Sequence, residues 1–502
     1  MHALRRDPQL SRLVHSVLWP GFVGTRPPSW ILRALEEGLG GVVYFANNID
    51  NANPAQVGEL SASIHAANPD ALIGVDEEGG NITRLEVTTG SSMPGNAVLG
   101  RIDDINITEQ AAARIGRLVG AAGIDVDIAP TVDVNSNPAN PVIGVRSFGA
   151  DSAVVARHAR AYVRGIQGTG VAACAKHFPG HGDTVTDSHL DVATSDISIE
   201  VLRSVHLPPF VAAIEAGVRA IMTAHIRIPA LGESPATINK RSLSILRELG
   251  FDGVLITDAL DMAAIRARIG TGPGAVAALN AGADLICIGN PTVGVTDTGE
   301  ATDELSFREP LEAIYAALQQ GELSTARLEG ASARTAALAA WRREQPDVPP
   351  VIERLNGAAL AERAALSIGD VRLKGSSLLV IDGRARPSLA NGATADFFTV
   401  ALRRRKTVER VSLGELSEAE GRDKIRQALV ASSDDVVLLV NQPQSSRFEA
   451  AMLGEVLAGH PDAVVIYAGW PAAAAPPAAR ALFTFGTSQA TAHAAAAILC
   501  GV

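Results

Sequence analysis

The chain has little cysteine, few aromatic side chains and no excess of positive charge. Three cysteines in 502 residues cannot form a framework of paired disulfides. Aromatic residues make up 4%, which argues against a long stacking platform for a polysaccharide or a single-stranded nucleic acid. The 43 basic residues are outnumbered by 54 acidic ones, and this net charge of −11 argues against a general nucleic-acid binder or a basic membrane-surface protein.

Signals for export and for membrane insertion are also missing. The apolar segment 13–24 contains His15 and Pro20 and lacks a small-residue cleavage site, so it fits a signal peptide poorly. The apolar run 472–479 is broken by two prolines and is too short to span a bilayer. Two of the cysteines, Cys174 and Cys287, lie within apolar runs, where a buried hydrophobic role is favoured. We therefore expect a cytoplasmic protein without nucleic-acid or membrane partners.

Apolar residues are abundant, at 47%, and short apolar runs alternate with helical patterns over the first two thirds of the chain. Eight of these runs have the length and composition of strands: 17–23, 41–45, 72–75, 126–134, 171–175, 220–224, 253–257 and 285–288. Helical periodicity between them is clearest at 152–166 and 241–249. Eight such units predict a (β/α)8 TIM-like barrel, although a doubly wound open sheet would give a similar local pattern.

The barrel prediction has a consequence for the site. Active sites of such barrels lie in the loops at the carboxyl ends of the strands. Charged and polar residues stand at the carboxyl ends of several of the predicted strands: Asp76, Asp133, Lys176, His177, His225 and Asp258. These residues are expected to meet at one rim of the barrel.

A proline-containing charged stretch separates the barrel region from the rest of the chain. We predict a barrel domain at 1–344, a linker at 345–357 and a smaller α/β sandwich domain at 358–502. The runs 377–381, 436–440 and 463–467 are continuously apolar, as in buried parallel strands, and alanine-rich helices at 472–482 and 490–499 are expected to cover their sheet. This domain has no nucleotide-binding glycine fingerprint, so a structural role is expected.

The densest polar loop, KHFPGHGDTVTDSH at 176–189, resembles the signature loop of glycoside hydrolase family 3, in its β-N-acetylglucosaminidase branch. Three more motifs occur in the order of that family. They are VDEEGG at 75–80 with Arg84 downstream, VIGVRSFG at 142–149 and ITDALDM at 256–262. Four ordered motifs are far more specific than any single one.

The resemblance implies that Asp258 is the catalytic nucleophile of a retaining glycosidase. A carboxylate can attack the anomeric carbon and form a covalent glycosyl-enzyme, which divides one difficult displacement into two easier ones. Taken alone, Asp258 or Asp261 could equally cap a helix that starts near Met262.

The same branch uses a histidine paired with an aspartate as general acid and base, which corresponds here to His189 and Asp187. In an extended loop, side chains two residues apart project to one side, so Asp187 can fix the tautomer of the imidazole and stabilise its protonated form. A hydrogen bond that only stabilises the loop is the alternative interpretation.

Five further residues correspond to glycone contacts in the family: Asp76, Arg84, Arg146, Lys176 and His177. Aspartate accepts hydrogen bonds from sugar hydroxyls, while arginine and lysine donate to ring oxygens and to the acetamide region. An ion pair between loops is the alternative for one of the two arginines. His181 is expected to brace its glycine-rich turn and His225 to be a satisfied histidine near the core. Asn81 departs from the family pattern, where arginine is common.

The resemblance implies an exo-acting enzyme on terminal β-linked N-acetylglucosamine, with a small saccharide or a muropeptide as substrate and no cofactor or metal. Phosphorolysis with inorganic phosphate as acceptor is the main alternative, because a neutral histidine base does not repel phosphate as a carboxylate would. A metal-dependent hydrolase is a further alternative, but the histidine and aspartate spacing at 177–189 fits no closed zinc set. A non-catalytic sugar-binding protein is the third.

Overall fold

The computed structural model describes residues 7–53, 55–184, 193–292, 302–345, 355–385, 396–431, 435–472, 474 and 476–501. Contacts divide the chain into two compact units that do not follow chain order. Unit 1 comprises 1–77, 105–134 and 151–353, and unit 2 comprises 78–104, 135–150 and 354–502. The two barrel-region loops 78–104 and 135–150 thus belong to the compact unit of the C-terminal region. The boundaries near 345 and 357 stay a prediction.

Ten strands of unit 1 lie within the described residues. They are β1 Leu18–Pro20, β2 Gly41–Tyr44, β3 Leu72–Val75, β4 Val126–Asp127, β5 Ala172–Phe178, β6 Ala193–Thr194, β7 Ala220–Thr223, β8 Ile226–Arg227, β9 Val254–Ile256 and β10 Ile286–Gly289. Six of them form a parallel sheet in the order β2-β3-β4-β5-β7-β9, and β1 pairs in parallel with β10. The amide of Thr257 donates to the carbonyl of Leu285, which joins β9 to the β10 segment. Eight parallel strands in chain order confirm the TIM-like barrel.

The helices of unit 1 follow these strands in alternation. They are Pro8–His15, Ser29–Glu36, Gln56–Ala67, Ile105–Ala121, Ser152–Gln167, Ile199–Val201, Pro208–Glu215, Lys240–Glu248, Ala263–Ile269, Thr271–Ala281, Thr302–Gln320 and Thr325–Arg343, with a π-helical turn at Leu202–His206. The predicted helices at 152–166 and 241–249 are confirmed within one residue at each end. Among the described residues, no helix has both the length and the apolar character needed to cross a bilayer.

Alternate residues of the barrel strands form one buried apolar layer, which includes Trp19, Leu72, Cys174 and Ile256. Gly74 completes this layer, since a side chain there would overlap the ring of Trp19. Cys174 and Cys287 are buried, and burial raises the pKa of both thiols, as the interpretation of small buried hydrophobes requires. The strand predicted at 126–134 is much shorter, because Pro130 has no amide to donate to a neighbouring strand.

Unit 2 contains a six-stranded sheet in the order β11-β16-β15-β14-β12-β13. Its strands are β11 Leu366–Ile368, β12 Ser377–Asp382, β13 Thr407–Ser412, β14 Asp435–Val440, β15 Val464–Tyr467 and β16 Arg480–Phe483. All pairs are parallel except β11 with β16. Its helices are Asn96–Ile102, Gly357–Ala364, Phe397–Arg403, Glu418–Ala431, Arg447–Gly459 and Gln489–Cys500.

Apolar clusters on both faces of this sheet confirm the α/β sandwich and the three strands that were predicted. The helix predicted at 490–499 is confirmed as Gln489–Cys500. The helix predicted at 472–482 is wrong, because Arg480–Phe483 is the strand β16. Pro476 and Pro477 interrupt the helical pattern before it, and Leu482 and Phe483 pack into the core instead.

Candidate active site

Three side chains continue the inward-facing positions of the barrel strands beyond the apolar layer. Asp76, Lys176 and Asp258 stand two residues after Gly74, Cys174 and Ile256, so the period of two places them on the inner side. The Lys176 ammonium lies 2.6 Å from Oδ1 of Asp76, and its side chain is 2% exposed whereas that of Asp76 is 21% exposed. A buried cation with one half-exposed carboxylate partner is an arrangement that can bind sugar hydroxyls.

Asp258 lies two residues beyond the end of β9 and is half-buried. Its Oδ1 accepts a hydrogen bond of 2.8 Å from the amide of Ala259. Its negative charge acts on the buried groups Cys174, His181 and Cys287. The helix beyond begins at Ala263 with Met262 at the cap position, so Asp258 is not its capping residue. The capping alternative is therefore wrong for Asp258.

A buried carboxylate organises the loop after β5. Asp133, fully buried, accepts from the ring Nδ1 of His177 at 2.8 Å and from the amide of His181 at 2.6 Å. The amide of His177 is also within hydrogen-bond distance of both Asp133 oxygens. Burial alone would raise the pKa of Asp133, but the hydrogen bond and charge of His177, helped by His181, lower it. Asp133 is thus an ionised anchor, and with Nδ1 engaged His177 presents Nε2 as its other polar atom.

The two remaining histidines of this rim are satisfied in the way the sequence predicted. The ring of His181 bonds the hydroxyl of Thr184 at 2.8 Å, and burial lowers its pKa to about 4, so it stays neutral. The ring of His225 lies between the hydroxyl of Thr237 and the carbonyl of Ala259. Asp187 and His189, the predicted acid/base pair, lie outside the described residues.

Two buried acids, Asp127 and Glu77, lie behind the rim, and neither was assigned a role from the sequence. Asp127 is fully buried, and its Oδ1 accepts a hydrogen bond of 3.2 Å from the amide of Glu77. Burial and the negative charge of Glu77 raise the pKa of Asp127 well above its ordinary value, which favours the protonated form. A single aspartate within an apolar run carries no signal that would have separated it from an exposed strand end.

The predicted glycone residues Arg84 and Arg146 belong to unit 2. The guanidinium of Arg146 forms a two-pronged ion pair with Glu78, at 2.7 Å and 3.1 Å, and both side chains are buried. Arg146 therefore joins the loops 78–104 and 135–150, which is the ion pair that was predicted as the alternative for one arginine. Arg84 is half-buried in the same unit.

His206 is a buried histidine to which no role was assigned from its sequence context. It ends the π-helical turn, and neither ring nitrogen has a hydrogen-bond partner among the described residues. A side chain at Gly180 would come within 3.0 Å of the ring, so the ring packs against the turn between His177 and His181. Burial lowers the pKa of His206, while the charges of Asp133 and Asp183 oppose this shift.

Replacing His206 by leucine is expected to stabilise the protein. The change removes two buried nitrogens that have no hydrogen-bond partner in the described part of the chain, and each of them costs about 1 kcal/mol or more. A histidine whose pKa is lowered on folding loses stability as pH falls below about 6.5, because only the unfolded chain then takes up the proton. The gain should therefore be larger at pH 5.5 than at pH 7.5. Urea unfolding midpoints at the two pH values test this, and an equal or negative shift at pH 5.5 would contradict it.

A metal-dependent hydrolase, one of the alternatives, requires a cluster of metal-ligating side chains. Within the part of the chain that the structure describes, no group of three or more histidine, cysteine, aspartate or glutamate side chains has the arrangement of a metal site. The segment with Asp187 and His189 is outside that part.

Known proteins are similar to this chain in sequence and in fold. The model of the glycosyl hydrolase family 3 N-terminal domain matches residues 31–338, more than half of the chain. β-Hexosaminidase A of Pseudoalteromonas piscicida is 35% identical over 339 residues, which cover 62% of this chain and 55% of that protein. The chain thus spans about half the length of this relative.

Solved structures extend the similarity to the whole chain. A family 3 β-N-acetylglucosaminidase from Paenibacillus sp. str. FPU-7 is 32% identical, with a TM-score of 0.85 over 98% of this chain and 96% of that one. A β-glucoside phosphorylase, at 20% identity and a TM-score of 0.74, shares the fold alone. The chain therefore belongs to glycosyl hydrolase family 3, which confirms the predicted family.

Proposed function

We propose that this protein is a retaining exo-glycosidase that releases terminal β-linked N-acetylglucosamine. The observation that carries the proposal is the likeness to the Paenibacillus β-N-acetylglucosaminidase, which extends over nearly the full length of both chains. The β-hexosaminidase relative supports the same substrate class. A small saccharide or a muropeptide is the proposed substrate.

Asp258 is the proposed nucleophile. Its carboxylate attacks the anomeric carbon, the bond to the leaving oxygen breaks, and a covalent glycosyl-enzyme forms. Its half-exposed position at the carboxyl end of β9 supports this role, because the side chain is open to a ligand while its backbone is fixed by a buried strand. The hydrogen bond from Ala259 holds one carboxylate oxygen and stabilises its charge.

His189 and Asp187 are the proposed acid/base pair, and this assignment depends on the resemblance of their loop. The imidazolium of His189 gives its proton to the leaving oxygen in the first step. In the second step the neutral imidazole takes a proton from the acceptor, which attacks the anomeric carbon and releases Asp258. The described beginning of this loop supports the proposal, since Asp133 fixes it through two histidines.

Asp76, Lys176, His177, Arg84 and Arg146 are the proposed glycone contacts. The Lys176–Asp76 pair offers a donor and an acceptor side by side, which suits two neighbouring hydroxyl groups of a sugar. Lys176 is largely excluded from water, and charge-assisted hydrogen bonds from such a group are strong. No cofactor enters this mechanism.

A panel of aryl β-glycosides assayed with and without millimolar phosphate tests the proposal. We expect the N-acetylglucosaminide to be cleaved with the highest kcat/KM and the free sugar to be the product. Phosphate-dependent acceleration with formation of sugar 1-phosphate would instead establish the phosphorylase alternative. Equal cleavage of the glucoside would contradict the proposed specificity, and absence of any cleavage would favour the sugar-binding alternative.

Metal dependence is tested in the same assay. Because the proposed steps use side chains alone, chelator treatment should leave the rate unchanged. Loss of activity with chelator, restored by a divalent metal, would support the metal-dependent alternative.

A further inference from the structure

The sheet of unit 2 has a topological switch point, the position outside which open α/β sheets commonly bind ligands. The chain passes from β12 to β13 on one side and then from β14 to β15 and β16 on the other, so the direction reverses between β12 and β14. Ligands of such sheets bind outside the carboxyl ends of the two strands at this point. Here the loop that follows β14, residues 441–446, hydrogen-bonds the loop 135–150 instead.

Side chains of the loop 441–446 donate hydrogen bonds to the backbone of the loop 135–150. Nε2 of Gln442 lies 2.9 Å from the carbonyl oxygen of Pro138 and 3.1 Å from that of Asn140. The hydroxyl of Ser445 donates to the carbonyl of Ala139 at 2.8 Å. The backbone carbonyls of three successive residues, 138–140, thus accept hydrogen bonds from the loop at the carboxyl end of β14.

Gln442 is itself held rigidly. The buried carboxylate of Glu449 accepts from the backbone amides of Gln442 at 2.7 Å and of Asn441 at 2.9 Å. The other oxygen of Glu449 accepts from the amide of Ala385, in the loop after β12. One buried carboxylate therefore links the loop after β12 to the loop after β14 and fixes the backbone from which Gln442 projects.

The held segment leads directly to Arg146. The buried Oδ1 of Asn140 accepts from the amides of Val142 at 2.8 Å and of Ile143 at 2.7 Å. The amide of Arg146 donates to the carbonyl of Ile143, and its guanidinium pairs with Glu78. Hydrogen bonds thus connect Gln442 to the segment 138–143 and this segment to the backbone of Arg146, whose guanidinium is held by Glu78.

The loop 78–104, which carries Glu78, is also hydrogen-bonded to the C-terminal region. Oδ1 of Asn81 accepts a hydrogen bond of 2.7 Å from the amide of Thr487, which precedes the helix Gln489–Cys500. Asn81 stands three residues from both Glu78 and Arg84. Its departure from the family pattern thus has a local physical role here, because a carboxamide can accept this amide proton and a guanidinium cannot.

We infer that Gln442, in the C-terminal region, is a positioning residue for Arg146 and so for glycone binding. The inference rests on the proposed function, because it takes Arg146 to be a contact of the sugar. It gives the C-terminal sheet a part in the reaction although none of its residues is assigned to the chemistry. Displacement of a substrate-positioning group by 1 Å can cost about 100-fold in rate, so such an anchor has a measurable effect.

The test compares Gln442→Ala with the matched control Gln427→Ala, an exposed glutamine of the helix Glu418–Ala431. Gln442→Ala should lower kcat/KM on an aryl N-acetylglucosaminide roughly ten-fold, mainly through KM, and Gln427→Ala should not. In an Arg146→Ala background Gln442→Ala should have no further effect. An unchanged kcat/KM, or the same ten-fold loss in that background, would overturn the inference.

A second measurement does not depend on activity. Amide hydrogen exchange at residues 138–146 should accelerate in Gln442→Ala and in the milder Ser445→Ala, while exchange in β12 and β14 stays unchanged. If the glycoside panel fails but this acceleration is found, the proposed function is wrong and the anchor is real. Unchanged exchange at 138–146 would show that Gln442 does not position the loop.

Discussion

Replacement of Asp258 by alanine is expected to lower kcat on an aryl N-acetylglucosaminide by roughly 10⁴-fold or more, because the group that forms the covalent intermediate is lost. The fold should survive, since Asp258 is half-buried and does not cap the helix that begins at Ala263. The measurement is steady-state kinetics together with the urea unfolding midpoint. Asp252→Ala, an exposed aspartate near the other end of β9, is the matched control and should retain full activity.

Chemical rescue separates a nucleophile from a group that only binds. With the carboxylate removed, azide can enter the vacated space, attack the anomeric carbon and displace the aryl oxide, which gives a glycosyl azide of inverted configuration. Rescue of the Asp258→Ala variant with this product is expected. A loss of less than about 100-fold, or a loss in KM alone, would contradict the role of nucleophile.

The barrel was predictable from the sequence because parallel strands covered on both faces must be apolar throughout. This holds for β3, and for β5 up to Ala175, after which the buried residues Lys176 and His177 follow. The period of two places Asp76, Lys176 and Asp258 in line with the inward-facing positions 74, 174 and 256. What the pattern does not contain is their pairing, because the distance between Lys176 and Asp76 depends on strands far apart in sequence.

The C-terminal region shows where local patterns mislead. The alanine-rich stretch before β16 has the composition of a helix, yet residues 480–483 pair in parallel with β15. β11 and β13 also escaped prediction, since β11 is exposed along its length and β13 alternates, as strands at the edges of a sheet do. Local composition does not indicate which segments become strands of a sheet.

The grouping of the loops 78–104 and 135–150 with the C-terminal region was equally hidden. The grouping depends on contacts between residues far apart in sequence: Ala97 and Val98 pack in the core cluster of the C-terminal sheet, and Gln442, Ser445 and Asn81 form hydrogen bonds across more than 300 residues. Motif reasoning identified Arg146 as a sugar contact and also allowed an ion pair between loops. The ion pair with Glu78 is present, and it need not exclude the sugar contact, since arginine has five donors.

Asp133 should be necessary for the geometry of the site, although it is proposed to touch no substrate. Asp133→Ala is expected to lower the free energy of unfolding by roughly 3–5 kcal/mol, because it leaves the buried amides and ring of its histidine partners without an acceptor. Loss of the loop geometry should lower kcat/KM by roughly 100-fold. Urea unfolding and steady-state kinetics at pH 7 measure the two effects.

The conservative variant Asp133→Asn separates charge from shape. An amide keeps the volume but has one oxygen acceptor where the carboxylate has two. The free energy of unfolding and kcat/KM should therefore both fall, by less than in the alanine variant. Because folding lowers the pKa of Asp133, its ionised form contributes stability above the ordinary aspartate pKa of about 3.9, and this contribution is lost as pH falls towards the lower folded value. The gap in stability between wild type and Asp133→Asn should thus be full at pH 7 and shrink below pH 4, whereas the exposed control Asp196→Asn should show no gap. A gap that persists unchanged at low pH would mean that the carboxylate of Asp133 is not the anchor of this loop.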